Sequence, residues 1–156
     1  MGADTAIVTE RVPSPIGDVV LRHDGTALHE LDFDDPEPAS AAADSAFARA
    51  VRTYFAGDLQ ALEDLPVRVR GTPFETAVWQ TLRQIPVGQT WSYAALAAAL
   101  DRPRAVRAVG RANGRNPVSL VLPCHRVIGA DGRLVGYGGG LERKAWLLRH
   151  EGALVA

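Results

Sequence analysis

Residues 92–115, SYAALAAALDRPRAVRAVGRANGR, hold two short helical patterns separated by a break. Ser92 can cap a helix running through Leu100, and Asp101-Arg102-Pro103 turns the chain. A second helix is expected from about Arg104 to Ala112, with Ala105, Val106 and Val109 inward. Two short helices across a tight turn form a helix-turn-helix pattern, and the second is the most basic element of the chain. On its own the pattern fits a structural helical hairpin equally well. Upstream, Thr72-Pro73-Phe74-Glu75 reads as a capping box with Pro at the first helical position. The stripe Phe74, Val78, Leu82, Ile85 then runs to the breakers Pro86 and Gly88. Gly71, just before it, marks the expected boundary between domains 1–70 and 71–156.

The first domain reads as β followed by α. Strands are expected at Val19–Leu21 and Ala27–Phe33, joined by a hairpin at Asp24-Gly25. A helix from about Ala42 to Ala56 follows from the spacing of Phe47, Val51 and Tyr54/Phe55, with Gly57 to end it. Val67 and Val69 suggest one more short strand, and this half, without clustered chemistry, reads as a scaffold. Downstream of the paired helices, the apolar run Val118–Leu122 predicts a strand stopped by Pro123. Asp131-Gly132 predicts a hairpin between Val127-Ile128 and Leu134-Val135. The loop Gly136–Gly140 lacks the GxGxxG context of dinucleotide binding, and a last helix spans Leu141–His150.

A chain of 156 residues, 47% hydrophobic and 22% charged, has ordinary globular composition and is long enough to bury a core. No apolar run is long enough to span a membrane. Asp4 and Glu10 sit where an export leader needs a basic and then an apolar stretch, so a cytoplasmic protein is expected. The single cysteine, Cys124, excludes an internal disulfide and any multi-cysteine zinc cluster, and fits a reducing compartment. Sixteen Arg stand against one Lys, Lys144, a ratio best read as codon bias. The net charge of −1 hides an asymmetry: residues 1–66 carry 4 Arg and 13 acids, residues 67–156 carry 13 basic residues and 5 acids. Arg102, Arg104, Arg107, Arg111, Arg115 and Arg126 follow one another with no acid between 102 and 126. Such a run is either a solvated basic face or a surface for a polyanion such as nucleic acid.

Cys124 sits between Pro123 and His125, with Arg126 next and Glu151 in a C-terminal helix able to fold back. A lone cysteine is usually an inert core thiol. A neighbouring base converts it to a nucleophile, and an acid that orients the base completes the arrangement. His125 would need a turn geometry and a bridging water to reach its neighbour's thiol. His23, His29 and His150 lack such company and are expected at the surface.

Val121-Leu122-Pro123-Cys124-His125-Arg126-Val127 resembles the active-site signature of O6-alkylguanine-DNA alkyltransferases, also called methylated-DNA–protein-cysteine methyltransferases. The resemblance extends through Arg104–Gly110, Arg115–Val118, Gly136–Leu141 and His150–Gly152, covering roughly residues 71–152. It implies an α/β fold in two parts: a small RNase H-like sheet-plus-helix domain, then a winged-helix-like helix-turn-helix domain carrying the cysteine. It implies direct, irreversible, single-turnover transfer of an alkyl group from O6-alkylguanine in double-stranded DNA to Cys124, with O4-alkylthymine as a second lesion. The protein would act as a cytoplasmic monomer with no cofactor, no metal and no membrane partner. His125 would be the water-mediated base, Glu151 its partner, and Tyr93 would meet the flipped nucleotide and its phosphate and donate a proton to the ring. Arg107 would enter the duplex beside the extruded base, with Arg104, Arg111, Arg115 and Asn116 on the DNA. Asn116 would also tie the basic helix to the active-site strand, and line the pocket with Val127, Tyr137 and Gly138. Gly138 stands where some relatives place serine, and Ser119 where some place proline, which would open the pocket wall. The alternative is a non-catalytic alkyl-lesion-binding protein of the same fold, but such proteins lack the cysteine. A plain helix-turn-helix regulator is a third reading, without an effector or dimerisation element to support it.

Overall fold

The computed structural model describes residues 6–154, so Asp4 lies outside the described residues. The fold is mixed α/β: a small antiparallel sheet plus helices, packed as two compact units, 1–69 and 70–156.

The first unit holds β1 (Val8–Val12), β2 (Val19–His23) and β3 (Leu28–Phe33), ordered β1-β2-β3 and antiparallel throughout. The β2–β3 turn forms because Asp24 Oδ1 accepts from the backbone N–H groups of Thr26 and Ala27 at 2.8 and 2.9 Å, while Gly25 takes φ 91°. Helix α1 (Ala46–Phe55) starts at Ser45, whose hydroxyl accepts from Ala48 N–H, and buries Phe47, Ala48, Val51 and Tyr54. Three readings of the sequence change here. β1 is an unanticipated strand. Val67 makes only an isolated bridge to Leu28. His23, expected at the surface, is buried: its Nε2 pairs with Glu10 at 3.1 Å, and Glu10 also accepts from the Ser45 hydroxyl and N–H. A buried carboxylate needs donors, and these two tie β1 and β2 to the start of α1.

The second unit opens with α2 (Pro73–Leu82), whose capping box is formed as expected: Thr72 accepts from Glu75 N–H and Glu75 from Thr72 N–H. A Cβ on Gly71 would lie 2.7 Å from the Trp79 ring, so only glycine lets the chain enter α2 this closely. The short strand β4 (Trp91–Ser92) leads into α3 (Tyr93–Ala99), capped by Ser92. After a turn comes α4 (Val106–Gly114), packed on α2 and α3. Trp79 Nε1 donates to Ala112 O at 2.7 Å, locking α2 to α4.

The run Val118–Leu122 is not a strand. It coils, with Leu122 N–H on Val118 O at 3.0 Å and Leu120 at φ 76°. Its apolarity reflects burial, which periodicity alone cannot separate from extension. A 3-10 turn, Cys124–Arg126, feeds β5 (Val127–Ile128), which pairs in parallel with β4 and not with residues 134–135. Asp131-Gly132 does make a turn, closed by Gly129 N–H on Arg133 O at 2.8 Å, but no ladder extends from it. Helix α5 (Leu141–His150) ends the described fold, and no helix of the described residues is long and apolar enough to cross a membrane.

Candidate active site

The Cys124–Arg126 turn places three buried side chains in succession. Cys124 is 5% exposed, His125 fully buried and Arg126 7% exposed. The tight turn aims His125 and Arg126 at one group, the Glu151 carboxylate just past α5. His125 Nε2 lies 2.9 Å from Glu151 Oε2. Arg126 grips the same carboxylate as a fork, Nε to Oε1 at 2.8 Å and Nη2 to Oε2 at 3.0 Å, and sends Nη1 to Ile85 O at 2.7 Å. A carboxylate only accepts, so His125 Nε2 must donate, and the neutral ring then carries its lone pair on Nδ1. That buried Nδ1 has no hydrogen-bond partner among the described residues.

The electrostatics follow from this geometry. Burial alone would raise the Glu151 carboxyl; the His125 ring and the Arg126 guanidinium overcome it and hold Glu151 well below the usual carboxylate range. Burial pushes His125 down, against the pull of Glu151, so the ring is neutral at physiological pH. Burial pushes the Cys124 thiol up, against weaker opposing effects from Asn116 and Lys144. A thiol with an ordinary value near 8.5 is only a few per cent ionised at pH 7, and this one less. The site therefore holds a thiol beside a neutral imidazole, so its proton has to leave as the sulfur attacks.

Asn116, just after α4, donates from Nδ2 to Leu122 O at 2.6 Å and accepts from Val118 N–H at 2.9 Å. It ties the end of the basic helix to the coiled segment before Cys124, not to a strand. Tyr93 begins α3 with its ring against Gly110 of α4, where a Cβ would lie 3.7 Å from it, and its hydroxyl donates to Val135 O at 3.2 Å. Burial pushes this phenol up, so at rest it keeps its proton. Val127 is fully buried in β5, Tyr137 half-buried and Gly138 exposed, with nothing within 4 Å of a Cβ at Gly138. Arg104, Arg107, Arg111 and Arg115 are exposed in or beside α4, and Arg115 lies 3.4 Å from Glu75. Arg126 leaves this series: it is buried in the Glu151 cluster and is no part of a basic surface.

Lys144 escaped the sequence reading. It is fully buried and donates to Val127 O at 2.5 Å, Val135 O at 2.9 Å and Gly136 O at 3.2 Å. The available signal was its being the one lysine of a chain that otherwise uses arginine. A compact ammonium with three donors fits three converging carbonyls, which a planar guanidinium does not. Among the described residues no group of three His, Cys, Asp or Glu could hold a metal ion.

Residues 73–153 match the family model of the 6-O-methylguanine DNA methyltransferase DNA-binding domain. The chain is 46% identical over 146 residues to a methylated-DNA–protein-cysteine methyltransferase of Mycobacterium leprae, covering 88% of each chain. A Shigella flexneri protein of the same name is 58% identical over 105 residues, 67% of this chain and 61% of that protein. The match thus spans about three fifths of that relative's length. A crystal structure of Mycobacterium tuberculosis OGT in complex with DNA superposes with a TM-score of 0.82 at 41% identity, covering 92% of each chain. The chain belongs to the 6-O-methylguanine DNA methyltransferase family.

Proposed function

We propose that the protein repairs alkylated DNA by moving an alkyl group from guanine O6 onto its own Cys124, once per molecule. The observation that carries this reading is the buried Cys124–His125–Glu151–Arg126 arrangement, with His125 Nδ1 left as an acceptor by the Nε2–Glu151 bond. Through a bridging water Nδ1 takes the thiol proton, and Glu151 stabilises the resulting imidazolium. Sulfur attacks the alkyl carbon; a C–S bond forms as the carbon–oxygen bond breaks, and the electron pair passes into the guanine. Tyr93 donates its proton to the leaving base and recovers one from the imidazolium through water, so that guanine leaves neutral.

DNA is bound through the exposed Arg104, Arg107, Arg111 and Arg115 on and beside α4, with Asn116 coupling that helix to the site. Because guanine O6 is hindered inside the stack, the nucleotide must flip out, at a few kcal/mol, and Arg107 fills the space. Asn116, Val127, Tyr137 and Gly138 line the pocket. The open space at Gly138 supports acceptance of alkyl groups larger than methyl, and O4-alkylthymine is a second lesion of the same chemistry. In this reading 71–156 is the DNA-binding and transfer domain, winged-helix-like, and 1–70 an RNase H-like scaffold. The protein works as a monomer on double-stranded DNA in the cytoplasm, where a lone thiol stays reduced.

A thioether, unlike an acyl-enzyme, offers no carbonyl for water to attack, so the thiol is not regenerated. Titrating excess duplex carrying radiolabelled O6-methylguanine should plateau at one methyl per chain, found by mass spectrometry on the Cys124 peptide. Multiple turnovers, or full transfer by Cys124→Ala, would overturn the reading. Lesion binding without transfer by the unmodified chain would instead favour the non-catalytic alternative.

A further inference from the structure

Among the described residues of the second unit, Lys144 is the buried charge that the transfer scheme leaves unused. Its side chain is fully covered, yet no carboxylate among those residues pairs with it; its three donors go to the carbonyls of Val127, Val135 and Gly136. Those carbonyls belong to two segments. Val127 is the first residue of β5, three positions after Cys124, and Val135-Gly136 opens the glycine loop that carries Tyr137 and Gly138. Val135 O is also the acceptor of the Tyr93 hydroxyl, so one carbonyl is held by two donors from different helices. Gly136 takes φ 56°, and a Cβ there would lie 3.8 Å from the Tyr93 oxygen. The loop backbone therefore passes close to Tyr93 and has no strand ladder of its own.

We propose that Lys144 is a positioning residue for alkyl transfer, pinning the Val135-Gly136 backbone to β5 so that the glycine loop and the Tyr93 hydroxyl stand at fixed places beside Cys124. The proposal rests on the alkyl-transfer reading and assigns the site a component which that reading does not contain. An isolated buried ammonium is costly, and burial lowers Lys144 to about 8, partly offset by attraction to Cys124. Cost of that kind is retained where the charge orders something else. What it orders here is a loop of three consecutive glycines, Gly138–Gly140, whose backbone entropy is otherwise the largest the chain offers. Because the ammonium's hydrogen bonds go to the wall and its pull on the sulfur is minor beside burial, it matters for a substrate that must be gripped and much less for a small reagent that needs only the thiol.

Lys144→Met keeps the apolar stem and removes all three donors. Three rates are read well below its unfolding midpoint: transfer from free O6-benzylguanine, alkylation of Cys124 by iodoacetamide, and tryptic cleavage after Arg133, the exposed basic residue two positions before Val135. The benzyl transfer should fall about tenfold or more, as small misplacements of a reacting group do. Iodoacetamide alkylation should change much less, and cleavage after Arg133 should rise severalfold. Equal losses with both reagents, or unchanged cleavage and transfer, would overturn the proposal. Should Lys144→Met not fold, Lys144→Gln, with two donors and no charge, and Lys144→Arg read the same three rates under the same criteria. The unmodified protein is the control for the reading beneath: if it transfers no benzyl group, the alkyl-transfer function fails, whereas the cleavage arm still decides whether Lys144 pins the loop.

Discussion

Glu151 accepts three hydrogen bonds from two neighbours, His125 and Arg126, entirely inside the second unit. Removing its charge leaves a guanidinium with no carboxylate partner in the interior, a change that typically costs about 3–5 kcal/mol. Glu151→Gln should therefore lower both the unfolding midpoint and the transfer rate, the rate by about 100-fold where the protein stays folded, since general-base assistance contributes about 10²–10⁴. His125→Ala separates the two effects: transfer should fall similarly while lesion binding, measured by duplex retention, stays largely intact. Unchanged transfer in folded variants would assign both residues to packing. The sequence grouped Cys124, His125 and distant Glu151, and the fold brings His125 and Glu151 into contact at 2.9 Å. The place of Arg126 was not legible there, because a charge run says nothing about which member turns inward. Only the 3-10 turn sends Arg126 to Glu151 while the arginines of α4 stay in solvent.

At the scale of elements, caps and breakers carried most of the information. Thr72-Pro73-Phe74-Glu75 and Ser92 start α2 and α3 where local chemistry says they should. Thr72→Ala should destabilise the protein by about 1 kcal/mol through loss of the cap, read as a lower denaturant midpoint with the slope unchanged. In the proposed function, helix α4 carries the duplex. Arg107→Ala should slow repair of alkylated duplex much more than reaction with free O6-benzylguanine, and equal losses on both would remove Arg107 from base flipping. Each phosphate-binding arginine of α4 replaced by alanine should reduce the salt slope of duplex affinity by about 0.9, so salt-independent binding of the unmodified protein would show that arginines do not hold the backbone. The apolar run Val118–Leu122 defeated local reading. A residue at φ 76° inside it, Leu120, is held by burial on every side, a condition with no local signature.

For the whole molecule, acid is the informative perturbation. His125 is held below its ordinary value of about 6.5 and Glu151 below about 4.3, so the unfolded chain takes up these protons more readily than the folded one. Stability from these groups is complete above about pH 6.5, declines first through His125, and is lost further as Glu151 is protonated below about pH 4.3. The midpoint of thermal unfolding should fall progressively on that path, and in a folded Glu151→Gln variant the lower part of the decline should shrink. A midpoint flat from pH 7 to 4 would contradict the buried cluster. The sequence by itself determined the order of helices, the basic helix and the family-specific motif around Cys124. Those depend on neighbours within a few residues: a cap, a breaker, a periodic stripe, a signature. Tertiary structure alone decided that Val118–Leu122 coils, that β5 pairs with β4, that His23 and Arg126 are buried, and that Lys144 bridges β5 and the glycine loop. Each of these is a long-range choice of partner for a buried backbone or charged group, settled by which donors and acceptors the folded chain brings within hydrogen-bond distance.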